Sequence, residues 1–459
     1  MTHNFKDTIV APISPAGKGA VSLIRISGGK SIEIIESIFK GKKLSLQKSH
    51  TVHFGEIVDR SNKKEIVLDE VLVTIFKAPS SFTKEDTIEI ACHGSEYIVQ
   101  KIIWLILTKG ARLAKPGEFT QRAYLNGRFD LAQAEAVADL IAADSELSHR
   151  TALQQMKGGF SDEIKSLRQQ LINFASLIEL ELDFFEEDIE FANRTSLTKL
   201  IVQIQDNINN LIQSFQLGNV IKKGINTAII GKPNAGKSTL LNTLLNEDRA
   251  IVSDIPGTTR DTIEATINIQ GILFKIIDTA GIRKAQDAIE AIGVERTHKA
   301  IEEASIILYL FDLENYDAEE IMLSLQSMQK THHKIILVGN KVDKVENNDD
   351  FFGSQYQLIR LSAKENKGVD TLREILYKAA IGTQNIDNNT IVTNSRHYES
   401  LQLTSQSLER VLVGIDTGIS SDFLALDIRE ALRYLGEITG EITNDDILGN
   451  IFSKFCIGK

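Results

Sequence analysis

Five short polar signatures stand in a fixed order between Gly231 and Lys364, and four of them come at the carboxyl end of an apolar run. They are Gly231-Lys-Pro-Asn-Ala-Gly-Lys-Ser238, Gly257-Thr-Thr-Arg-Asp261, Asp278-Thr-Ala-Gly281, Asn340-Lys-Val-Asp343 and Ser362-Ala-Lys364. The apolar runs are Ile225 to Ile230, Phe274 to Ile277, Ile335 to Val338 and Leu358 to Leu361. Strand, polar loop and helical pattern in succession predict an open α/β sheet, whose ligands sit outside the carboxyl ends of its strands. The first loop opens into a helical pattern at Ser238, which is the context a phosphate loop requires.

Each signature suits one part of a nucleoside triphosphate. Gly231 and Gly236 let the backbone approach closely enough for its N–H groups to cradle phosphates. Lys237 neutralises β- and γ-oxygens, and the Ser238 hydroxyl completes a Mg²⁺ site. Thr258 and Thr259 lie in a turn-rich stretch, where a threonine closes over Mg²⁺ while the γ-phosphate is present. Asp278 holds the Mg²⁺ shell, and the Gly281 N–H senses the γ-phosphate. The Asp343 carboxylate accepts from guanine's ring N–H and exocyclic amine; adenine offers neither, and the acceptor would stay buried and unpaired. The Lys341 stem covers the base, and backbone N–H groups of Ser362-Ala-Lys364 meet the guanine carbonyl. GTP, not ATP, is the expected substrate. Candidate contacts are Asn234, Ala235, Gly236, Lys237, Ser238 and Thr239, followed by Ser253, Asp254, Ile255, Pro256, Gly257, Thr258 and Thr259. Asp278, Thr279, Ala280, Gly281, Asn340, Lys341, Asp343, Ser362 and Ala363 complete the set, with Ser238 and Thr259 as the Mg²⁺ ligands.

Hydrolysis needs a group that orients water. Ile282 follows Asp278-Thr-Ala-Gly281 and cannot do so; Asp287 and Glu290 are the nearest downstream carboxylates, with a solvated face as the alternative for either. The Asn234 amide oxygen is placed to ligate a monovalent cation beside the phosphates, in place of the charge an arginine finger supplies.

The rest of the chain sets bounds. Its 459 residues accommodate two or three domains. A net charge of −11 argues against a protein that coats nucleic acid nonspecifically. Cys92 and Cys456 have neither metal spacing nor a disulfide framework, which fits a reducing compartment. With no signal segment and no membrane-length apolar stretch, a cytoplasmic location is expected.

Residues 1–125 alternate β-rich runs (Val21 to Ile26, Val71 to Phe76, Ile88 to Ala91) with helical patterns such as Ser95 to Lys109, and read as a small α/β domain. From Leu131 to Leu217 the pattern is helical, with heptad-like spacing through Leu167, Leu171, Phe174, Leu177 and Leu180. Helical periodicity resumes after Asn394. The economical reading inserts the nucleotide domain, 222–383, into one helical domain made of 126–221 and 384–459; a plain string of three domains is the alternative. The acidic run Asp183 to Glu190 reads as a solvated face rather than a metal or partner site. Lys109 to Arg128, five bases against one acid, reads equally as a solvated turn or a patch for anionic ligands.

Taken with the nucleotide signatures, the terminal Phe455-Cys-Ile-Gly-Lys459 resembles the MnmE (TrmE) family of tRNA-modification GTPases. Asp7-Thr-Ile-Val10, Leu23-Ile-Arg-Ile-Ser27, Pro116-Gly-Glu-Phe119, Leu131-Ala-Gln-Ala-Glu135, Glu437-Ile-Thr-Gly440 and Asp445-Asp-Ile-Leu-Gly449 extend the resemblance over nearly the whole chain. It implies an N-terminal folate-binding-like α/β domain, a helical domain and an inserted Ras-like P-loop G domain. It also implies a homodimer built through the N-terminal domain that works with the FAD-containing partner MnmG in a heterotetramer-type complex on tRNA. That pair installs an aminomethyl or carboxymethylaminomethyl group on carbon 5 of the wobble uridine. The one-carbon unit comes from 5-formyl- or methylene-tetrahydrofolate, for which the resemblance selects Arg25, Glu89, Arg128 and Lys459. Arg128 stands where some members have lysine, so a fork replaces a point charge. The resemblance implies a K⁺ site of Asn234, Ser253, Ile255 and Thr258, and it selects Glu290 over Asp287 as the group orienting water, with Arg283 a switch residue. Cys456, beside Lys459, is a further candidate for the modification chemistry. A GTP-switched ribosome-assembly or RNA-binding factor is the competing functional class, and a scaffold that uses GTP only to dimerise is the third.

Overall fold

The computed structural model describes residues 7–60, 65–183, 194–248, 263–277, 299–328, 333–345, 356, 358–382, 390–443, 445–456 and 458. They fall into two compact units: residues 1–138, 155–177 and 428–459, and residues 139–154 and 178–427.

The first unit is built on β1 (Ile9–Pro12), β2 (Val21–Ser27), β3 (Phe39–Lys40), β4 (Thr51–Asp59), β5 (Ile66–Phe76), β6 (Thr87–His93) and β7 (Arg112–Leu113). They form one seven-stranded sheet in the order β3-β4-β5-β6-β2-β1-β7, antiparallel except for the β1–β7 pair. Alternation along β2 sends Ile24 and Ile26 into the core and leaves Leu23 and Arg25 on the other face. The core face receives Ile34, Ile35 and Ile38 from the Ser31–Ile38 helix and Ile102, Leu105 and Ile106 from the Glu96–Thr108 helix. The Asp445–Ser453 helix seats Leu448 and Phe452 on Leu131 and Ala134. Tyr124 adds a hydroxyl bond to the Gly440 carbonyl at 2.8 Å.

The second unit holds β8 (Ile225–Ile230), β9 (Ile263–Ile269), β10 (Ile272–Ile277), β11 (Ile306–Asp312), β12 (Lys334–Asn340) and β13 (Leu358–Arg360). Their order is β13-β12-β11-β8-β10-β9, parallel throughout except that β9 runs antiparallel to β10. Both faces are covered, as a parallel sheet demands. Ile229, Leu308, Leu310, Ile336 and Val338 lie in one core, and Ala228, Ile230, Ile307, Tyr309 and Leu337 in the other. In the same unit the Arg194–Lys223 and Ser395–Thr417 helices pair, with Phe215 stacked on Tyr398 at 4.2 Å. The chain leaves the first of these helices at Lys223 and lies against it at Val392. There the Val392 N–H donates to Ser214 Oγ at 3.0 Å. A Cβ on Gly218 would lie 1.9 Å from the Val392 carbonyl oxygen, so only glycine allows this approach.

Two expectations are corrected. The helical stretch from Leu131 is a series of separate helices, Leu131–Ile141, Glu146–Met156, Gly159–Asp183 and Arg194–Lys223. Within the third, Leu167, Leu171 and Phe174 are buried as the heptad requires, but Leu177 is exposed and Ile178 takes the inward place. The buried series Leu167, Leu171, Phe174 and Ile178 steps by 4, 3 and 4, which keeps the seven-residue repeat that Leu177 would break. The basic stretch Lys109 to Arg128 is neither a solvated turn nor a single ligand patch. Arg122 is fully buried and paired with Asp7, Glu85 and Glu118, while Arg112 pairs with Asp7 and Glu118. The acidic run lies outside the described residues beyond Asp183.

Candidate functional site

The phosphate loop leaves β8 at Gly231 and enters the Lys237–Asp248 helix. Gly231 has φ +150°, and a Cβ there would sit 1.9 Å from the Leu310 carbonyl oxygen on β11. Gly236, at φ +99°, leaves space for the Asn340 amide, which a Cβ would meet at 2.1 Å. Asn234 takes the left-handed region at φ 64°. Lys237 Nζ donates to the Gly231 carbonyl at 2.6 Å and to the Lys232 carbonyl at 3.0 Å. Burial holds its ammonium below the ordinary lysine value.

Asn340 ends β12 and is buried. Its Nδ2 donates to the Ala235 carbonyl at 2.8 Å, and its Oδ1 accepts the Ala363 N–H at 3.0 Å. One amide thereby clamps the phosphate loop to the Ser362-Ala-Lys364 loop, a role sequence reasoning had not given it. Lys341 adopts φ 65° and pairs through Nζ with Asp312. The exposed Asp343 carboxyl is held below its usual value, first by the Ser362 hydroxyl and then by Lys344 and Lys364. It is therefore ready as a charged acceptor.

These loops enclose a cavity of about 550 Å³ lined by Asn234, Gly236, Lys237, Ser238, Thr239, Asn340, Lys341, Asp343, Lys344, Ser362 and Lys364. Three of the five signatures thus converge on one space, which holds the Lys237 ammonium and, beside Lys344 and Lys364, the Asp343 carboxylate. Lys344 was not anticipated, and only its place after Asp343 could have signalled it. Ser253, Asp254, Ile255, Pro256, Gly257, Thr258, Thr259, Asp278, Thr279, Ala280, Gly281, Arg283, Asp287 and Glu290 lie outside the described residues.

A second pocket, of about 500 Å³, lies in the first unit and is lined by His50, Phe76, Pro79, Ser80, Ser81, Phe82, Lys84, Thr87, Glu89 and Arg128. Arg25 and Glu89 are register partners on β2 and β6, so sheet geometry places both on the face opposite the core. Arg25 forks onto Glu89 with Nε at 2.9 Å and Nη2 at 2.7 Å from Oε1. Its guanidinium lies 5.1 Å from the Phe82 ring centre, and that of Arg128 lies 4.9 Å from the same ring. Phe82 carried no motif, and its role depends on partners distant in sequence. Lys459 lies outside the described residues. The residues before it are held: the Gly117 N–H donates to the Cys456 carbonyl at 3.3 Å, and Gly458 packs on Pro12, the register partner of Ile24. Cys456 is an exposed free thiol. Cys92 is buried; burial, aided by the charge of Asp69, pushes its thiol up to about 11. Among the described residues no helix is long and apolar enough to cross a membrane.

Two family models match this chain, one described as the GTP-binding protein TrmE N-terminus over residues 8–128 and one as the MnmE helical domain over residues 131–456. The tRNA modification GTPase MnmE of Cytophaga hutchinsonii is 56% identical over 99% of this chain and 98% of that protein. Its namesake from Flavobacterium psychrophilum is 51% identical over 99% of this chain and 100% of its own. That of Bacteroides fragilis strain ATCC 25285 is 50% identical over the same shares. Among solved structures, the G domain of the T. maritima FeoB iron transporter aligns at 21% identity over 34% of this chain and 98% of that one, with a TM-score of 0.27.

Proposed function

The chain belongs to the MnmE family of tRNA modification GTPases, and from that premise we propose that it binds GTP in the Asn234–Lys364 cavity and couples hydrolysis to modification of tRNA. The observation that carries this reading is the convergence of the phosphate loop, Asp343 and Ser362-Ala-Lys364 on that cavity. Backbone N–H groups of the loop and Lys237 hold the phosphates. The Asp343 carboxylate accepts two guanine N–H bonds, and the rigid Asn340 clamp keeps the two halves in register.

Ser238, at the cavity wall, offers a hydroxyl that fits Mg²⁺; with Thr259 it would hold the ion, which would supply charge neutralisation to the phosphates. Asn234 lines the same wall with a neutral amide oxygen, which fits K⁺ together with Ser253, Ile255 and Thr258. Glu290 orients the attacking water. The set Ala235, Gly236, Thr239, Asp254, Pro256, Gly257, Asp278, Thr279, Ala280, Gly281, Asn340, Lys341, Ser362 and Ala363 completes the nucleotide contacts.

The reading extends to the second pocket. A fixed guanidinium–carboxylate pair, Arg25–Glu89, matches the donor and acceptor edge of a pterin, and Phe82 offers a flat apolar wall. Arg128 and Lys459 complete a folate site, which supplies a one-carbon unit for carbon 5 of the wobble uridine. Gly458 packs beside the strand pair that carries Arg25, which favours bringing the terminal residue to that pair. The exposed thiol of Cys456 is then available to the same chemistry.

We divide the chain into a dimerising α/β domain (1–125), a helical domain (126–221 and 384–459) and an inserted G domain (222–383). The return of Val392 to Ser214 and Gly218 supports the insertion. The protein works in the cytoplasm as a homodimer with the FAD-containing MnmG. Phosphate release from GTP by the intact chain, with Mg²⁺ and either K⁺ or Na⁺, tests the hydrolytic part. K⁺-selective hydrolysis that Glu290→Gln abolishes is expected; equal rates in both salts would remove the K⁺ site.

A further inference from the structure

Two cations of the second pocket meet no carboxylate among the described residues. Arg25 and Glu89 neutralise each other. Arg128, in contrast, donates Nη1 to the Ser81 carbonyl at 2.8 Å and otherwise lies over the rings of Phe82 and Phe129. Lys84 Nζ donates to the Gly127 carbonyl at 2.8 Å. Burial and the like charge of Arg25 hold the Arg128 guanidinium below its usual value, the signature of a cation short of a counter-ion.

Backbone geometry singles out Lys84 independently. It takes φ 58°, in the left-handed region that lysine disfavours. Six non-glycine residues among those described have positive φ: His50, Lys84, Asn234, Gln270, Lys341 and Asn366. Asn234 and Lys341 line the nucleotide cavity, while His50 and Lys84 line this pocket. Local strain of this kind persists where the surrounding structure over-determines the backbone, and it clusters at ligand sites. Glycine would fit the Lys84 position freely, so the ammonium is what the position retains.

The pocket is therefore bipolar. A neutralised, hydrogen-bonding pair stands at Arg25–Glu89, and un-neutralised positive charge stands at Arg128 and Lys84. We propose that Arg128 and Lys84 form a carboxylate-binding rim for the glutamyl tail of a folate, so that affinity rises with the number of γ-linked glutamates. This rests on the folate reading above. Each added glutamate brings one more carboxylate, and charge-assisted bonds to guanidinium and ammonium are the strong ones. Arg128 supplies a fork for one carboxylate, and Lys84, on its flexible stem, follows the next.

Calorimetric titration of the full-length chain with 5-formyltetrahydrofolate carrying one or three glutamates tests the rim. The wild type should prefer the triglutamate by about fivefold, the size of one exposed charge-assisted contact, and the preference should shrink in high salt. Lys84→Gly relieves the left-handed backbone, so it should melt no lower than the wild type while its preference falls towards unity. Equal affinity for both lengths in the wild type, or an unchanged preference in Lys84→Gly, would overturn the rim. If neither form binds the wild type, the folate reading itself falls and takes the rim with it.

Discussion

At the scale of single residues, the carboxylate proposed to recognise the base is the sharpest point of the account. Asp343 is kept below its ordinary value by the Ser362 hydroxyl, so it remains an acceptor well into the acid range. Guanine affinity should therefore hold constant from neutral pH down to about 4 and weaken only below it. Asp343→Asn replaces one acceptor with a donor. It should lower GTP affinity about a hundredfold and gain affinity for xanthosine triphosphate, whose 2-oxo group accepts; nucleotide titrations of both species check this. The two thiols give a second contrast. Iodoacetamide at pH 8 should alkylate the exposed Cys456 and spare Cys92, whose thiol is buried and pushed up to about 11. Peptide mass spectrometry that found Cys92 labelled in the folded protein would contradict its placement. That Lys237 and Asp343 belong to one site was legible in the sequence, and both line the same cavity. The roles of Asn340 and Phe82 were not, because the first joins loops across the fold and the second gathers cations from separate strands and turns.

Among the elements, the basic stretch shows how charge counting along a chain misleads. Arg112 and Arg122 face inward to Asp7, Glu85 and Glu118, and the pairing was invisible because its acids come from distant or buried positions. Burial alone would raise the carboxyls of Asp7 and Glu118, but the two arginines outweigh it and both sit below their ordinary values. For depressed carboxyls, the stabilisation is present above the unfolded-state values near about 4 and is lost as pH falls through the lower folded values. Arg122→Met leaves the buried Glu118 with Arg112 as its ion-pair partner and takes from Glu85 its arginine, and should destabilise by about 3–5 kcal/mol. Urea denaturation measures the loss, and the acid transition should move to higher pH in the same variant. The turn at Gly117 gives a milder case. It has φ +68°, and a Cβ there would approach the Phe452 carbonyl oxygen to 2.5 Å. Gly117→Ala should cost about 1–3 kcal/mol and loosen the C-terminal segment, read as faster proteolysis near Cys456. Strand existence was legible because β2 and β6 alternate and β8 and β12 are near-continuous apolar runs, as buried parallel strands are. The heptad-like stripe was misplaced by one residue at its fourth member, since Leu177 and Ile178 are both apolar and hydrophobicity alone does not say which faces inward.

For the whole molecule, the parallel sheet with the phosphate loop and the paired helices on either side of it in sequence follow from the order of motifs and the resumption of helix at Asn394. The close return of Val392 to Gly218 did not, because a glycine inside a helical pattern signals nothing about which segment passes over it. Central to the account is that this one chain both hydrolyses GTP and serves tRNA modification. The most direct measurement is mass spectrometry of wobble nucleosides in tRNA from cells lacking this gene, complemented with the intact chain or with Asp343→Asn. Loss of carbon-5 aminomethyl-type uridines, restored by the intact chain and not by Asp343→Asn, is the predicted result. Unaltered wobble uridines in the deleted cells, or full restoration by Asp343→Asn, would contradict the coupling.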